Sequence, residues 1–454
     1  MLNPYIFREY DIRGKVADDF PPEIVVLLGR AFGTFVKRSG GREIALSGDI
    51  RLTTPDLMDA FREGVLSTGT DVINLRIIPT PVNYYSMYSL GVSGAVQITG
   101  SHNPPEFNGF KLSLHKKPVY GSQIKKLKEM IEHGDFETGK GTETRYKILP
   151  GYNQMILDKI NIERPMRVVM DCGNAAAAIN APQLFRKLGV ELTELYCEPD
   201  GTFPNHHPDP TVEKNLADLI STMQSGSHDV GIAFDGDADR IGVVDETGGI
   251  IWADQLLTLF LPEVLSPGDE IIYDVKCSQA LEDMIKKYGG KPVMWKTGHS
   301  LIKQKMADLG CKLGGEMSGH IFFADEYFGY DDAIYVAARL VQLLSRSEKT
   351  LSELKAEIPV YHSTPEMRLE AESDEEKFRI AEKAVDYFNA TYDCSTIDGV
   401  RIRFGDGWGL VRSSNTQPVI VCRFEADSLE RMQEIKDLVL GKLQEFGKLE
   451  LGDH

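Results

Sequence analysis

The chain has 454 residues, of which 42% are hydrophobic and 26% are charged, and its formal net charge at pH 7 is −18. This length allows roughly three domains of about 150 residues each. The negative charge repels polyanions, so nucleic acid and anionic membrane surfaces are poor candidate partners, and an anionic substrate needs a local basic pocket.

The N-terminal segment and the cysteines indicate a cytoplasmic protein. The first residues, MLNPYIFREYDIRG, lack a basic region followed by an apolar region. No apolar run approaches the roughly 18 residues of a membrane span. The six cysteines lie far apart in the sequence and form no C-x-x-C pair, which fits neither a disulfide framework nor a zinc site. We therefore expect ordinary buried thiols in a reducing compartment.

One pattern recurs three times along the chain. A β-rich run is followed by a turn, an amphipathic helix that ends near glycine, and a second β-rich run. Such alternation predicts parallel sheets with right-handed crossovers. The three copies span residues 42–75, 166–196 and 269–295.

Each copy is accompanied by an apolar strand that runs directly into a polar loop. SGAVQI leads into TGSHNPPEFNG, DVGIAF leads into DGDADR, and CKLGG leads into EMSGH. Because ligands of parallel α/β sheets bind beyond the carboxyl ends of the strands, three loops in equivalent positions predict one shared cleft.

The sequence after Pro359 has a different character. A helical stretch at 373–391 precedes three β-rich runs and a closing helix at 428–447, an order typical of an α+β domain. A glycine-rich segment near residue 140 marks the first boundary. We predict α/β domains at 1–147, 148–249 and 250–359, and an α+β domain at 360–454.

The DGDADR loop places three carboxylates, Asp235, Asp237 and Asp239, at alternate positions. These groups repel one another unless a cation lies between them, and oxygen ligands suit Mg²⁺ or Ca²⁺. Together with Glu246 they match an EF-hand loop at positions one, three, five and twelve. However, Arg240 stands where that loop needs glycine, and the flanks are strands, so we reject an EF-hand.

Two other functions remain possible for this loop. In a phosphatase of the haloacid-dehalogenase type, Asp235 is the nucleophile and Asp237 the acid, but Asp239 then crowds an anionic nucleophile. A non-catalytic sensor is the second alternative for the chain as a whole, although it leaves this acidic loop unexplained.

The TGSHNP loop presents Ser101 beside His102 at the end of a strand, a setting that suits a nucleophilic hydroxyl. It is not a G-x-S-x-G elbow, which argues against serine-hydrolase chemistry. For this segment taken alone, an ordinary Ser/Asn/Pro turn would normally be favoured. The pair His206 and His207 has neither a cysteine nor a third histidine nearby, so we do not expect it to bind zinc.

Five segments together resemble the α-D-phosphohexomutase superfamily, in its bacterial phosphomannomutase/phosphoglucomutase branch, over essentially the whole chain. They are FREYDIRG (Phe7–Gly14), TGSHNP (Thr99–Pro104), DGDADR (Asp235–Arg240), GEMSGH (Gly315–His320) and RSSNTQP (Arg412–Pro418). The resemblance implies three similar α/β domains and a C-terminal α+β domain around a central cleft. It also implies that phosphorylated Ser101 gives its phosphoryl group to a hexose monophosphate and regains the other one from a hexose 1,6-bisphosphate, with glucose 1,6-bisphosphate as activator.

The resemblance also implies roles for individual residues. Asp235, Asp237 and Asp239, with an oxygen of phosphorylated Ser101, hold Mg²⁺. Arg13, His102 and Lys111 stabilise charge and move protons, with the general acid/base unassigned. The substrate-binding residues are Tyr10, Arg240, Lys276, Gly298, His299, Glu316, Met317, Ser318, Gly319, His320, Arg412, Ser413, Ser414, Asn415 and Thr416.

The GEMSGH loop bears on the choice of sugar. Glu316 can accept hydrogen bonds from the adjacent ring hydroxyls O3 and O4, and contacts at these positions do not sense the configuration at C2. Members of the superfamily that favour glucosamine tend to carry glutamine where Met317 stands. We therefore expect both mannose and glucose phosphates as substrates.

Overall fold

The computed structural model describes residues 2–414 and 419–452. The chain forms two compact units. One comprises Met1–Leu256 with Ser318–Lys355, and the other comprises Leu257–Met317 with Ala356–His454.

The first sheet is mixed and lies in the first unit. Its strands are β1 (Ile12–Lys15), β2 (Glu43–Gly48), β3 (Asp71–Ile77), β4 (Gly94–Ile98), β5 (Phe107–Leu114), β6 (Lys117–Pro118) and β7 (Glu143–Arg145). The order is β1-β5-β4-β2-β3-β7, with β6 on β5. Strand β2 pairs in parallel with β3 and β4, whereas β5 runs antiparallel to its neighbours. The helices are α1 (Val16–Asp19), α2 (Pro22–Arg38), α3 (Thr54–Leu66), α4 (Thr80–Ser89) and α5 (Ser122–His133).

Helices α2 and α3 pack closely because glycines face each other where they cross. A Cβ at Gly29 would overlap the carbonyl oxygen of Phe61, and a Cβ at Gly64 would overlap that of Val26. Beneath them, Phe61 stacks on Phe110 of β5 with ring centroids 5.3 Å apart. This packing fixes β5 beside β4, the strand that leads into the TGSHNP loop.

The second sheet also belongs to the first unit. Its strands are β8 (Arg167–Asp171), β9 (Glu191–Leu195), β10 (Val230–Phe234), β11 (Ile241–Val244) and β12 (Ile250–Ile251), in the order β12-β11-β10-β8-β9. Strand β8 pairs in parallel with β9 and β10, and β11 turns back antiparallel on β10. The helices are α6 (Leu149–Lys159), α7 (Ala181–Lys187) and α8 (Ala217–Ser225).

The next stretch of chain contributes to both units. It contains α9 (Ala253–Val264), β13 (Glu270–Asp274), α10 (Gln279–Lys287), β14 (Lys291–Trp295), α11 (His299–Leu309), β15 (Leu313–Gly315), β16 (Ile321–Phe323), α12 (Ala333–Arg346) and α13 (Leu351–Lys355). In the second unit, β13 pairs in parallel with both β14 and β15. In the first unit, α12 packs on β10 and β11.

The last sheet lies in the second unit and is antiparallel throughout its described pairs. Its strands are β17 (His362–Ser363), β18 (Met367–Glu370), β19 (Asp393–Ser395), β20 (Val400–Arg403), β21 (Gly407–Ser413), β22 (Val419–Ala426) and β23 (Glu450–Leu451). Helices α14 (Asp374–Thr391) and α15 (Leu429–Phe446) cover one apolar face.

The predicted fold class is confirmed, with three α/β domains followed by a C-terminal α+β domain. The strands that lead into the three polar loops are β4, β10 and β15, as expected. The boundaries after residues 147, 249 and 359 stay a prediction. No helix among the described residues is long and apolar enough to cross a membrane.

The cysteines differ in part from the expectation. All six are free thiols, but Cys197 and Cys394 are only half-buried. The Sγ atoms of Cys172 and Cys197 lie 3.3 Å apart. The two residues follow β8 and β9, and parallel pairing of these strands brings together positions that are distant in the sequence.

Candidate active site

Ser101 follows β4 and is only 2% exposed. Its backbone adopts φ 50°, a left-handed conformation that is unfavourable for a residue with a Cβ. The Oγ atom donates a hydrogen bond to Oδ2 of Asp235 at 2.9 Å and lies 3.1 Å from Nδ1 of His102. The TGSHNP and DGDADR loops therefore meet at the serine hydroxyl.

The DGDADR loop follows β10 and folds back on its own first carboxylate. Oδ1 of Asp235 accepts hydrogen bonds from the backbone N–H groups of Asp239 at 3.0 Å and Arg240 at 3.1 Å. The turn includes Ala238 at φ 64°. One carboxylate oxygen from each of Asp235, Asp237 and Asp239 lies within 4.8 Å of the others, and all three side chains are fully buried.

Lys111 supplies a buried positive charge to this cluster. It lies on β5, and its Nζ donates to Oδ2 of Asp237 at 2.7 Å and also to Oδ2 of Asp239. Burial alone would lower the pKa of Lys111, but the neighbouring carboxylates raise it above its usual value. Lys111 is therefore a charged side chain in the interior of the first unit.

The three carboxyl groups differ in their electrostatic surroundings. Burial and the charges of the other two carboxylates raise the pKa of Asp235 well above its usual value. Burial and the charge of Asp237 likewise raise the pKa of Asp239. For Asp237, burial is outweighed by the charge and hydrogen bond of Lys111, so its pKa is lowered.

The cluster fits a hard divalent cation. Within residues 2–414 and 419–452, Oδ1 of Asp237 and Oδ1 of Asp239 are buried without a hydrogen-bond partner. Buried carboxylate oxygens left in this way are costly unless a cation binds them. Oxygen-only ligands match the preference of Mg²⁺.

The predicted charge-stabilising residues lie around the TGSHNP loop (Thr99–Pro104), the serine loop. Arg13 pairs with Asp11 at 2.6 Å and donates to Oδ1 of Asn103 at 3.1 Å. Burial and then the charges of Arg240 and Arg13 lower the pKa of His102 well below its usual value. His102 is accordingly a neutral imidazole at neutral pH. Tyr10 is half-buried just before β1.

The end of the GEMSGH loop that belongs to the first unit lies beside the acidic loop. Nε of Arg240 donates to Nε2 of His320 at 3.0 Å, and Nδ1 of His320 lies 3.0 Å from Asp331. Gly319 has φ 99°, and its carbonyl oxygen accepts from Ile241 N at 3.2 Å. Ser318, half-buried, opens this segment.

In the second unit, Glu316 and Met317 are held by backbone contacts. The N–H of Gly298 donates to Oε1 of Glu316 at 2.5 Å, directly before α11, which begins at His299. The N–H of Met317 donates to Oδ1 of Asp274 at 3.2 Å. The Glu316 carboxylate thus has a defined orientation.

Two predicted cations of the second unit are paired with carboxylates. Nζ of Lys276 donates to Glu366 at 3.0 Å, and Nε of Arg412 donates to Asp398 at 2.9 Å. Although burial opposes it, the charge of Lys276 lowers the pKa of Glu366 to about 2.

The RSSNTQP segment is described only in part. Ser413 ends β21, and the N–H of Ser414 donates to the carbonyl oxygen of Val419 at 2.9 Å. Asn415 and Thr416 lie outside the described residues.

Four family models match the chain along its length. The phosphoglucomutase/phosphomannomutase alpha/beta/alpha domains I, II and III match residues 4–138, 150–249 and 250–361, and the C-terminal domain matches 366–442. The chain belongs to the phosphoglucomutase/phosphomannomutase family.

Individual members of the family are similar over nearly their full lengths. The phosphomannomutase/phosphoglucomutase of Pseudomonas aeruginosa is 46% identical over 442 residues, covering 97% of this chain and 95% of its own. The phosphoglucomutase of Neisseria meningitidis is 41% identical over 438 residues, covering 95% of each chain. A crystal structure of a family member from Burkholderia thailandensis has a TM-score of 0.92 at 41% identity and covers 99% of this chain and 100% of its own. The chain is accordingly a phosphohexose mutase, an isomerase of carbohydrate metabolism.

Several residues that contact the two loops of the first unit were missed by sequence reasoning. Asp49 follows β2 and accepts from Thr99 Oγ1 at 2.7 Å, so its position after a strand was an available signal. Thr80 donates to Oδ2 of Asp237 at 2.5 Å, and His207 Nε2 contacts the carbonyl oxygen of His102. Arg51 donates a hydrogen bond to the carbonyl oxygen of Ser101 in the serine loop, and no local sequence pattern indicates this contact.

Proposed function

We propose that the protein interconverts the 1-phosphates and 6-phosphates of mannose and glucose through a phosphoryl group carried on Ser101. The observation that carries the proposal is the buried hydroxyl of Ser101, 2.9 Å from the first carboxylate of an acidic loop that fits a divalent cation. The relatives named for both sugars support the choice of substrates.

The reaction consists of two transfers with a shared intermediate. The oxygen of a free hydroxyl of the hexose monophosphate attacks the phosphorus of phosphorylated Ser101, and a P–O bond to the sugar forms. The bond from phosphorus to Oγ breaks, and Oγ takes up the proton that the sugar hydroxyl loses. The product is a hexose 1,6-bisphosphate. After this intermediate turns over, Oγ attacks the phosphorus of its other phosphoryl group, and the bond from that phosphorus to the sugar oxygen breaks. The proton that Oγ loses ends on the sugar oxygen, and the isomeric monophosphate leaves.

In the proposed mechanism, Asp235, Asp237 and Asp239 would hold Mg²⁺ together with an oxygen of phosphorylated Ser101. When bound, Mg²⁺ neutralises charge on the phosphoryl group in transfer. Lys111 keeps the acidic loop compact through its bonds to Asp237 and Asp239.

The remaining groups of the first unit serve charge and proton movement. Arg13 lies next to the serine loop and contributes positive charge near the departing oxygen. His102 is a neutral imidazole whose Nδ1 is 3.1 Å from Oγ, so it is able to exchange a proton with that oxygen.

We assign the other residues to substrate binding. Glu316, Met317, Ser318, Gly319 and His320 read the sugar hydroxyls, and Arg412 to Thr416 bind the phosphate that is not transferred. The remaining residues that we assign to contact with the substrate are Tyr10, Arg240, Lys276, Gly298 and His299. Glucose 1,6-bisphosphate serves as the activator that phosphorylates Ser101. The six free thiols support a cytoplasmic location.

The test is to incubate the protein with mannose 1-phosphate, Mg²⁺ and a trace of glucose 1,6-bisphosphate. Mannose 6-phosphate is expected from the wild type and from Ser225→Ala, an exposed serine on α8, but not from Ser101→Ala. Release of inorganic phosphate would favour the phosphatase with Asp235 as nucleophile. Binding of mannose 1-phosphate without any conversion would favour a non-catalytic sugar-phosphate sensor.

A further inference from the structure

Arg51 lies beneath the serine loop and is 1% exposed. Its Nη1 donates to the carbonyl oxygens of Pro104 at 2.6 Å and Phe107 at 3.0 Å. Its Nη2 donates to those of Ser101 at 2.8 Å and Asn103 at 2.6 Å. One guanidinium therefore binds three backbone carbonyl groups of the serine loop and a fourth, that of Phe107, at the start of β5.

The guanidinium is itself held in place. Nε of Arg51 lies 3.2 Å from Oδ2 of Asp49, which also accepts from the N–H of Gly100 at 3.1 Å. A Cβ at Gly100 would overlap the guanidinium carbon, so only glycine leaves room for Arg51. The planar fork of arginine presents several donors in fixed directions, which the single ammonium group of lysine cannot reproduce.

These bonds bear on the reacting oxygen through the backbone of Ser101. Ser101 has φ 50°, and a conformation of this kind persists only where surrounding contacts enforce it. The Ser101 carbonyl oxygen bound by Arg51 also lies against Gly236, where a Cβ would overlap it. Arg51 thus binds the backbone of the residue whose Oγ lies 2.9 Å from Oδ2 of Asp235 and whose carbonyl oxygen lies against the acidic loop.

We propose that Arg51 is a positioning residue for phosphoryl transfer, acting only through Ser101. The inference rests on the proposed role of Ser101 as phosphoryl carrier. Substrate binding is assigned to other residues, so loss of Arg51 should lower kcat and leave KM nearly unchanged. A displacement of about 1 Å in a reacting group can cost about 100-fold in rate.

The experiment compares Arg51→Lys with the matched control Arg339→Lys. Arg339 is also buried, on α12, and donates to Asp325 at 3.0 Å and Tyr335 at 3.2 Å. Both variants are assayed below the lower of their two Tm values. We expect about a 100-fold loss of kcat in Arg51→Lys, with KM within about twofold of the wild type. Arg339→Lys should lose thermal stability and keep its kcat.

A second variant guards against a failure of Arg51→Lys to fold. Gly100→Ala keeps the arginine, but the added Cβ would overlap both the guanidinium of Arg51 and the carbonyl oxygen of Phe107, and the same selective loss of kcat is expected. Retention of kcat within about threefold in either folded variant would overturn the inference, and so would an equal loss in Arg339→Lys. Phosphate incorporation is measured on the wild type in parallel. A wild type that is active but unlabelled at Ser101 would refute the carrier role itself, whereas a labelled wild type with a fully active Arg51→Lys would refute only the role of Arg51.

Discussion

Replacement of Thr80 with valine is expected to weaken the response of the enzyme to Mg²⁺. Thr80 begins α4, and its Oγ1 donates to Oδ2 of Asp237 at 2.5 Å. Its N–H also donates to the carbonyl oxygen of Asp237 at 2.9 Å. Together these bonds orient the central carboxylate so that its other oxygen, Oδ1, stays available for a cation.

The magnitude follows from the loss of one hydrogen bond to a charged group. Such bonds contribute about 1.5–3 kcal/mol, which sets a ceiling of roughly 150-fold on the change in affinity. Partners that orient metal ligands typically account for about 10- to 100-fold in metal affinity. Because valine has nearly the volume of threonine and the backbone bond remains, we expect a 10- to 100-fold rise in the Mg²⁺ concentration at half-maximal rate.

The assay measures initial rates against Mg²⁺ concentration with glucose 1-phosphate and glucose 1,6-bisphosphate at saturation. Thr80→Ser keeps the hydroxyl and is the matched control, so its half-saturation should stay near that of the wild type. The kcat of Thr80→Val at saturating Mg²⁺ should change by only a few fold. An unchanged half-saturation in Thr80→Val would refute the idea that Thr80 orients a metal ligand.

Three further predictions concern the metal, pH and the fourth domain. Removal of divalent cations by a chelator should abolish turnover, and added Mg²⁺ should restore it; turnover that survives exhaustive chelation would exclude a metal role for the acidic loop. Burial raises the pKa of Asp332 from 3.8 to about 6, despite hydrogen bonds from Tyr327 and Tyr152. The stability that the fold has with a protonated Asp332 is therefore fully present below pH 3.8 and is lost as the pH rises through 6. Asp332→Asn should therefore flatten the change in the free energy of unfolding between pH 4 and pH 7 by up to about 3 kcal/mol, as measured in urea, and an unaltered pH dependence would contradict this. Arg412→Lys should raise KM for glucose 1-phosphate and mannose 1-phosphate by similar factors, since the role proposed for Arg412 is to bind phosphate and not sugar; a change for one sugar only would argue against that role.

The positions of the polar loops were predictable because they depend on short-range patterns. Apolar runs of strand length stop at Ile98, Phe234 and Gly315, and each is followed at once by polar residues. Strands of a parallel sheet expose their carboxyl ends at one edge, so these three loops were identifiable without coordinates. The three carboxylates at 235, 237 and 239 were equally recognisable, because closely spaced like charges require a partner.

The supporting contacts were not predictable because they join residues that are far apart in the chain. Lys111 and Asp237 are separated by 126 positions, and Thr80 and Asp237 by 157. Nothing in the local sequence around Arg51 indicates that its guanidinium binds carbonyl groups 50 to 56 residues later. The approach of Cys172 to Cys197 likewise depends on strand pairing, which composition and spacing do not reveal.

The central claim is that Ser101 carries the phosphoryl group between the two oxygens of the sugar. The most direct test is brief incubation of the enzyme with radiolabelled glucose 1,6-bisphosphate and Mg²⁺, followed by peptide mapping and a chase with unlabelled glucose 6-phosphate. We predict label on the peptide that contains Ser101, its transfer to sugar bisphosphate during the chase, and no label in Ser101→Ala. An active mutase with label on another residue, or with no covalent label at all, would contradict the account.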